Sequence, residues 1–233
     1  MIIIIGIGSG IGRHLVDHFT EQGETVKAGS RSINNEINNG VTLASIDVCN
    51  EASVAKFFEL KDNDAIKGLV YCAGITVPPS DLTAFDRDKF KDVLETNVVG
   101  FASVMKHALP HMADQGARVV AIGSMAYRSP SLYSGFEYTS SKHALSGVVR
   151  YLARDLAPKN ILVNCVHPGP VDTPMLRAHK DEDEILEIKQ NIPTQRLTTM
   201  NDVVSAVSFL LSSQNINITG AGVDVNGGQI TTG

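Results

Sequence analysis

Apolar residues run along this chain in short unbroken blocks, and helical periodicity fills the gaps between them. Ile2-Ile3-Ile4-Ile5 is the first block, and Val119-Val120-Ala121-Ile122 and Ile161-Leu162-Val163 repeat the pattern. β-Branched side chains suit a pleated surface, and a strand with no polar alternation is one covered on both faces. The strand-like runs are 2–5, 25–28, 41–46, 67–72, 117–123, 161–166 and 222–225. Helical spacing appears at 11–22, 51–60, 86–112, 136–157, 179–190 and 200–213. Strands alternating with helices predict an α/β fold: a doubly wound parallel sheet of about seven strands with helices on both faces. One crossover is odd. Residues 32–40 are rich in Asn, a poor helix former, so a short helix or an irregular loop is expected there.

Bulk properties narrow the function. The 233 residues suit a single domain, residues 1–233. A net charge of −5 argues against nucleic acid as a partner, because phosphate binding needs a basic surface. No stretch approaches the roughly 18 unbroken apolar residues of a membrane span, so no membrane partner is expected. The opening isoleucine run is too short for a signal peptide and has no basic residue before it. Cys49, Cys72 and Cys165 form no Cys-x-x-Cys pair and read as small buried hydrophobes in a reducing, cytoplasmic setting.

The first strand runs straight into Gly6-Ile7-Gly8-Ser9-Gly10-Ile11-Gly12, and helical spacing resumes at once. A strand, a tight glycine turn and a helix N-terminus in that order read as a phosphate site, although an ordinary glycine-rich strand-to-helix turn has the same pattern. Free backbone N–H groups and the positive end of the helix dipole meet there, and the missing side chains let a pyrophosphate approach the backbone. The spacing is Gly-x-x-x-Gly-x-Gly, because Ile11 stands where the commoner fingerprint has its last glycine. About 20 residues further on, NAD-preferring sites carry a carboxylate for the ribose 2′-hydroxyl. Here the stretch reads Ala28-Gly29-Ser30-Arg31-Ser32, with no acid. Arg31 can grip a 2′-phosphate, so NADP(H) is expected over NAD(H).

A second constellation follows the strand at 117–123. Ser124 stands at that strand's carboxyl end, and Tyr138 and Lys142 lie four apart at the start of a helix, on one face. Ligands of open α/β sheets bind at the carboxyl edge. A tyrosine beside an ammonium is a proton-transfer device, because the cation favours the phenolate. Taken singly, a Tyr-x-x-x-Lys spacing also describes an exposed helical pair.

Together these segments resemble the short-chain dehydrogenase/reductase family over essentially the whole chain. Gly6 to Gly12 resembles its Thr-Gly-x-x-x-Gly-x-Gly turn, and Asp47-Val48 matches the acidic position that meets the adenine. Cys72-Ala73-Gly74 stands where the family has Asn-Asn-Ala-Gly, and Asn97-Val98-Val99-Gly100 matches its Asn-Val-x-Gly. Ser124, Tyr138 and Lys142 match its catalytic residues. The run from Val163 to Thr173, with Pro168, Gly169, Val171 and Thr173, resembles the segment flanking the nicotinamide, and Val223 to Gly228 resembles the last strand and its turn. The departures are Ile5 for a threonine and Tyr71-Cys72 for two asparagines. The Ser124–Tyr138 gap is about one residue longer than the family's, so the shape of the 129–137 loop is open.

The resemblance implies hydride transfer between a nicotinamide and a carbonyl or secondary alcohol of a small molecule. Tyr138 would move the hydroxyl proton, Lys142 would lower its pKa and hold the ribose, and Ser124 would stabilise the oxyanion. Asn97 would kink its helix and help hold a water linking Lys142 to solvent. A 3-oxoacyl-thioester reductase is a specific version, and the acidic run at 181–184 argues against it. A non-catalytic NADP-sensing protein on the same scaffold is the alternative. The family's habit implies a homodimer or homotetramer, and residues 174–192 are expected to form a substrate lid. The pairs His14/His18 and His107/His111 lack the Glu of a zinc motif, so no metal is expected.

Overall fold

The fold is given by a computed structural model that describes residues 1–231 except 9, 34, 35, 39, 62, 63, 80, 114, 115, 132, 133, 174, 175, 178 and 179, with backbone alone at 36–38. The first half of the chain forms β1 (Ile2–Ile5), α1 (Ile11–Glu21), β2 (Val26–Ser30), β3 (Glu36–Asn38), β4 (Val41–Ser45), α2 (Glu51–Phe57), β5 (Gly68–Tyr71), α3 (Arg87–Leu94) and α4 (Gly100–Ala108). The second half forms β6 (Ala117–Ile122), α5 (Phe136–Leu156), β7 (Ile161–Pro168), α6 (Glu182–Gln190), α7 (Met200–Leu211) and β8 (Gly222–Val225). The sheet order is β3-β4-β2-β1-β5-β6-β7-β8, with β3 antiparallel to β4 and the other seven strands parallel. Leaving β3 aside, the parallel strands run 3-2-1-4-5-6-7, the Rossmann-type order.

The isoleucine block shows why this sheet needs no polar alternation. Ile3 and Ile5 face a core shared with Leu69, Tyr71, Val119, Phe101 and Leu145. Ile2 and Ile4 face the opposite core, with Leu15, Val16, Val70, Val203 and Val207. All four are buried, each contributing roughly 1.5–3 kcal/mol of transfer free energy. Helices α2, α4 and α5 cover one face, and α1 and α7 cover the other. β1 lies between β2 and β5, so the chain winds outward one way through β2 and β4, then crosses back to β5. The connections after β1 and β5 therefore part at their carboxyl ends and open a cleft there.

Three segments differ from the sequence expectation. Residues 36–38 form an antiparallel edge strand rather than a helix or loop. Gly40, at φ +84, reverses the chain into β4, whose outer edge was open for pairing. The helical stretch at 86–112 is broken into α3, a π-helical turn at Glu95–Val99, α4 and a tight turn at Leu109–His111 that carries Pro110. α2 stops at Phe57, where the Phe58 N–H already bonds the Ala55 carbonyl in a tighter turn.

Candidate active site

The glycine turn closes by contact. A side chain at Gly6, where φ is +97, would place its Cβ 2.3 Å from the Ala73 nitrogen, and one at Gly12 would lie 2.3 Å from the Gly6 carbonyl oxygen. The glycines thus let the ends of β1 and β5 touch and bring α1 in close. Gly10, at φ +64, precedes α1 with no capping side chain, and the first turn of α1 carries no acid. Ile11 opens that helix, so its first N–H groups face the cleft without a side-chain acceptor. A Cβ at Gly10 would be 4.0 Å from Thr173 Cγ2 and 3.8 Å from Met200 Cε, so the segment after β7 sits across the turn. Gly8 lies beside Ser30, at about 3.9 Å from its Oγ by the same measure. Ser9 is outside the described residues.

The next ring of residues lies along the strand ends. Arg31 follows Ser30 at the end of β2, exposed, and its guanidinium has no hydrogen bond or ion pair among the described residues. Asp47 follows β4, and its Oδ1 accepts the Cys49 N–H at 3.0 Å; Val48 beside it is buried. Cys72 continues from β5, its N–H bonded to the Ile5 carbonyl at 2.7 Å, and burial pushes its thiol up to about 12. Pro168 ends β7, and the Gly169 N–H bonds Val225 at 2.9 Å. Val171 pairs with Thr198, and Thr173 Oγ1 accepts the Leu176 N–H at 3.1 Å.

Asn97 sits in the π-helical turn and is completely buried. Its Oδ1 accepts the Ile75 N–H at 2.8 Å, and its Nδ2 donates to the Ile75 carbonyl at 3.0 Å and to Ser141 Oγ at 2.9 Å. One side chain thus ties the loop after β5 to α5. The π-turn has its own support from Tyr71, which replaces a family asparagine: its hydroxyl donates to the Thr96 carbonyl at 2.5 Å. Gly100 leaves room for that hydroxyl, which would lie 2.6 Å from a Cβ there.

Lys142 is buried, with Nζ donating to the Ile122 carbonyl at 2.9 Å and lying 5.4 Å from the centre of the Tyr138 ring. An ammonium has three donors, and two of these have no partner among the described residues. A Cβ at Gly74 would stand 3.6 Å from Nζ and 3.4 Å from Asn97 Oδ1, so glycine keeps the space beside the ammonium open. Ser124 begins two residues beyond Ile122. Its Oγ accepts the Ala126 N–H at 3.2 Å, which caps a tight turn at Met125–Tyr127 packed against α5. Its own hydroxyl hydrogen has no acceptor among the described residues.

The structure thus brings Gly74, Asn97, Tyr138 and Lys142 to one place, with Ser124 just beyond the strand that Lys142 bonds. The glycine turn, Ser30, Arg31, Asp47 and Thr173 border the same carboxyl edge. The residues fit a dinucleotide: an uncapped helix N-terminus for phosphate, and a buried ammonium with unpaired donors for a hydroxylated ribose. A family model described as enoyl-(acyl carrier protein) reductase matches residues 6–229. The chain belongs to the short-chain dehydrogenase/reductase family. It is 31 % identical to the 3-oxoacyl-[acyl-carrier-protein] reductase FabG of Aquifex aeolicus (strain VF5), over 97 % of this chain and 95 % of that one. Among solved structures, ElxO with NADP bound superposes with a TM-score of 0.90 at 29 % identity, covering 98 % of this chain and 97 % of its own. The aldohexose dehydrogenase AldT of Thermoplasma acidophilum, ligand-free, superposes with a TM-score of 0.89 at 28 % identity, covering 100 % and 96 %.

Other expectations on this dehydrogenase scaffold fall as follows. The charge run at 181–184 is a helix start: Asp181 and Glu184 form a capping box, and Glu184 also holds Lys180 at 2.6 Å. Within 174–192, residues 174, 175, 178 and 179 are outside the described residues; Ile185, Ile188 and Ile192 form a small core of their own with Leu197. His107 bonds Glu51 at 2.8 Å and His18 bonds Ser208 at 2.8 Å. No helix is long and apolar enough to cross a membrane among the described residues. The residue that sequence reasoning leaves out is His167. Its signal is the single imidazole of β7, a strand whose other polar side chain is Asn164, and it is buried behind Ser124.

Proposed function

We propose that the protein is an NADP(H)-dependent oxidoreductase that interconverts a carbonyl and a secondary alcohol of a small molecule, with Ser124, Tyr138 and Lys142 as catalytic residues. The observation that carries this reading is the buried Lys142 ammonium, fixed on the Ile122 carbonyl and set beside the Tyr138 ring. The bound dinucleotide supplies the hydride. Tyr138 donates its hydroxyl proton to the substrate oxygen during reduction and takes it back during oxidation. Lys142 favours the phenolate by its charge, and its spare donors reach the ribose side. Ser124 Oγ–H stabilises charge on the substrate oxygen. Asn97 holds the loop after β5 against α5 and so keeps that geometry. The turn Gly6 to Gly12 holds the pyrophosphate, and Arg31 holds the 2′-phosphate.

Residues 174–192 serve as the lid, and slower hydrogen exchange over 180–192 with cofactor and substrate bound checks that. The three cysteines are free, which suits a cytoplasmic enzyme, but only Cys165 is a fully buried one as expected: Cys72 is half-buried and Cys49 is exposed. A second copy of the chain packs on the α4–α5 face, giving a homodimer or homotetramer. The test of function is NADPH oxidation against a panel of ketones, aldoses and 3-oxoacyl thioesters, with the alcohols and NADP in the reverse direction. Turnover of at least one pair supports the reading. Tight NADPH binding with no turnover across the panel supports a sensing protein instead.

A further inference from the structure

We infer that His167 is a positioning residue for Ser124, an inference that rests on the reading of Ser124 as the group that meets the substrate oxygen. The Ser124 N–H donates to His167 Nδ1 at 3.3 Å. This bond needs the Nδ1 lone pair, so the ring is neutral with its proton on Nε2. The imidazole has no freedom to swing. It is 1 % exposed and lies flat on the Tyr127 ring, with centroids 3.5 Å apart and planes 7° from parallel. Tyr127 closes the turn that Ser124 caps, so the histidine contacts both ends of that turn.

The slot is built by residues far apart in the chain. A Cβ at Gly123 would lie 2.2 Å from Nδ1, and a Cβ at Gly222 would lie 2.8 Å from Nε2. Only glycine on β8 and glycine just before Ser124 leave room for the ring. Tyr127 is braced in turn: its hydroxyl is 3.4 Å from Asp224 Oδ2, and Arg128 bonds that hydroxyl while its guanidinium lies 4.9 Å from the ring centre. The Ser124 backbone is therefore fixed at its nitrogen by His167 and at its side chain by the Ala126 N–H. The Oγ–H has no acceptor among the described residues, and Oγ is held at one position at the strand end. Donors that stabilise a developing oxyanion act through such fixed placement, and small displacements cost rate.

A double-mutant cycle on the intact protein tests this, using the panel carbonyl that is turned over fastest with NADPH. H167F keeps an aromatic ring in the slot but offers no acceptor, H167L serves if the larger ring prevents folding, and H167N keeps an acceptor near Nδ1. H167F should lower kcat on the order of tenfold while KM and the NADPH Kd stay within about twofold, and H167N should restore most of the rate. Adding H167F to S124A should cost nothing more, because the histidine acts only through the serine. Wild-type kcat in H167F, no recovery in H167N, or losses that multiply in the double variant would overturn the inference. Wild-type turnover by S124A alone would instead remove the assignment of Ser124 on which it rests.

Discussion

Lys142 Nζ donates to the Ile122 carbonyl at 2.9 Å, which locks a cation on α5 to the end of the strand that leads into Ser124. The bond joins the two halves of the site. Lys142→Ala removes the charge beside Tyr138, the spare donors and the partner of a buried carbonyl. Rate and NADPH affinity should therefore fall together, and the melting temperature should drop, since an unsatisfied buried acceptor costs about 1–3 kcal/mol. Titration calorimetry with NADPH, alongside kinetics, separates this from a variant that loses rate alone.

The proposed grip of Arg31 on a 2′-phosphate makes cofactor choice testable. It is exposed just beyond β2, and no acid lies between 28 and 32. A charge-assisted pair with a phosphate is worth about 1.5–3 kcal/mol, so Arg31→Ala should raise the NADPH Kd roughly 10- to 100-fold and the NADH Kd far less. Equal effects on both cofactors would refute the role.

The buried imidazole of His167 gives stability a pH dependence. Burial first, and the Lys142 charge second, push it from 6.5 down to about 3. The unfolded chain takes up a proton there as pH falls through about 6.5, and the folded chain does not until about 3. Between those values the unfolded state binds more protons, so folding loses stability as pH drops, by on the order of 2 kcal/mol at about pH 5. Urea unfolding of wild type and H167N near pH 7.5 and pH 5 should show the smaller pH effect in the variant. Equal slopes would mean that the histidine does not titrate in this way.

What the sequence made legible, and what it hid, follows from how local each signal is. The Ile2–Ile5 block and the glycines after it are contiguous, and Tyr138 and Lys142 meet by helical spacing alone. The resemblance implied a kink at Asn97, but the π-turn at Glu95–Val99 itself was hidden, because its residues also suit an α-helix. Its support comes from Tyr71, on a distant strand, whose hydroxyl reaches the Thr96 carbonyl past the adjoining Gly100. β3 was hidden because its pairing depends on the open edge of β4. His167 was hidden because its slot is carved by Gly123 and Gly222, which no sequence window joins.

The α4–α5 face predicts assembly. Ala102, Met105, Leu109, Val148 and Leu152 line an apolar groove there, and Tyr151 is 72 % exposed beside it. An apolar groove flanked by an exposed aromatic side chain is a surface that a second copy would cover, and pairing by a two-fold axis would close it. Sedimentation at micromolar concentration should give a dimer or tetramer, and Leu152→Glu should shift the mass toward the monomer. A monomeric wild-type protein would contradict this.

The proton-transfer role of Tyr138 is tested most directly by Tyr138→Phe, which keeps the ring beside Lys142 and loses only the hydroxyl. With a carbonyl that the wild type reduces, the variant should bind NADPH with unchanged affinity while kcat falls by about 10² or more, the usual scale for losing general acid–base help. Near-wild-type turnover by Tyr138→Phe would mean that Tyr138 and Lys142 are only a structural pair on α5, and the catalytic reading of this site would be wrong.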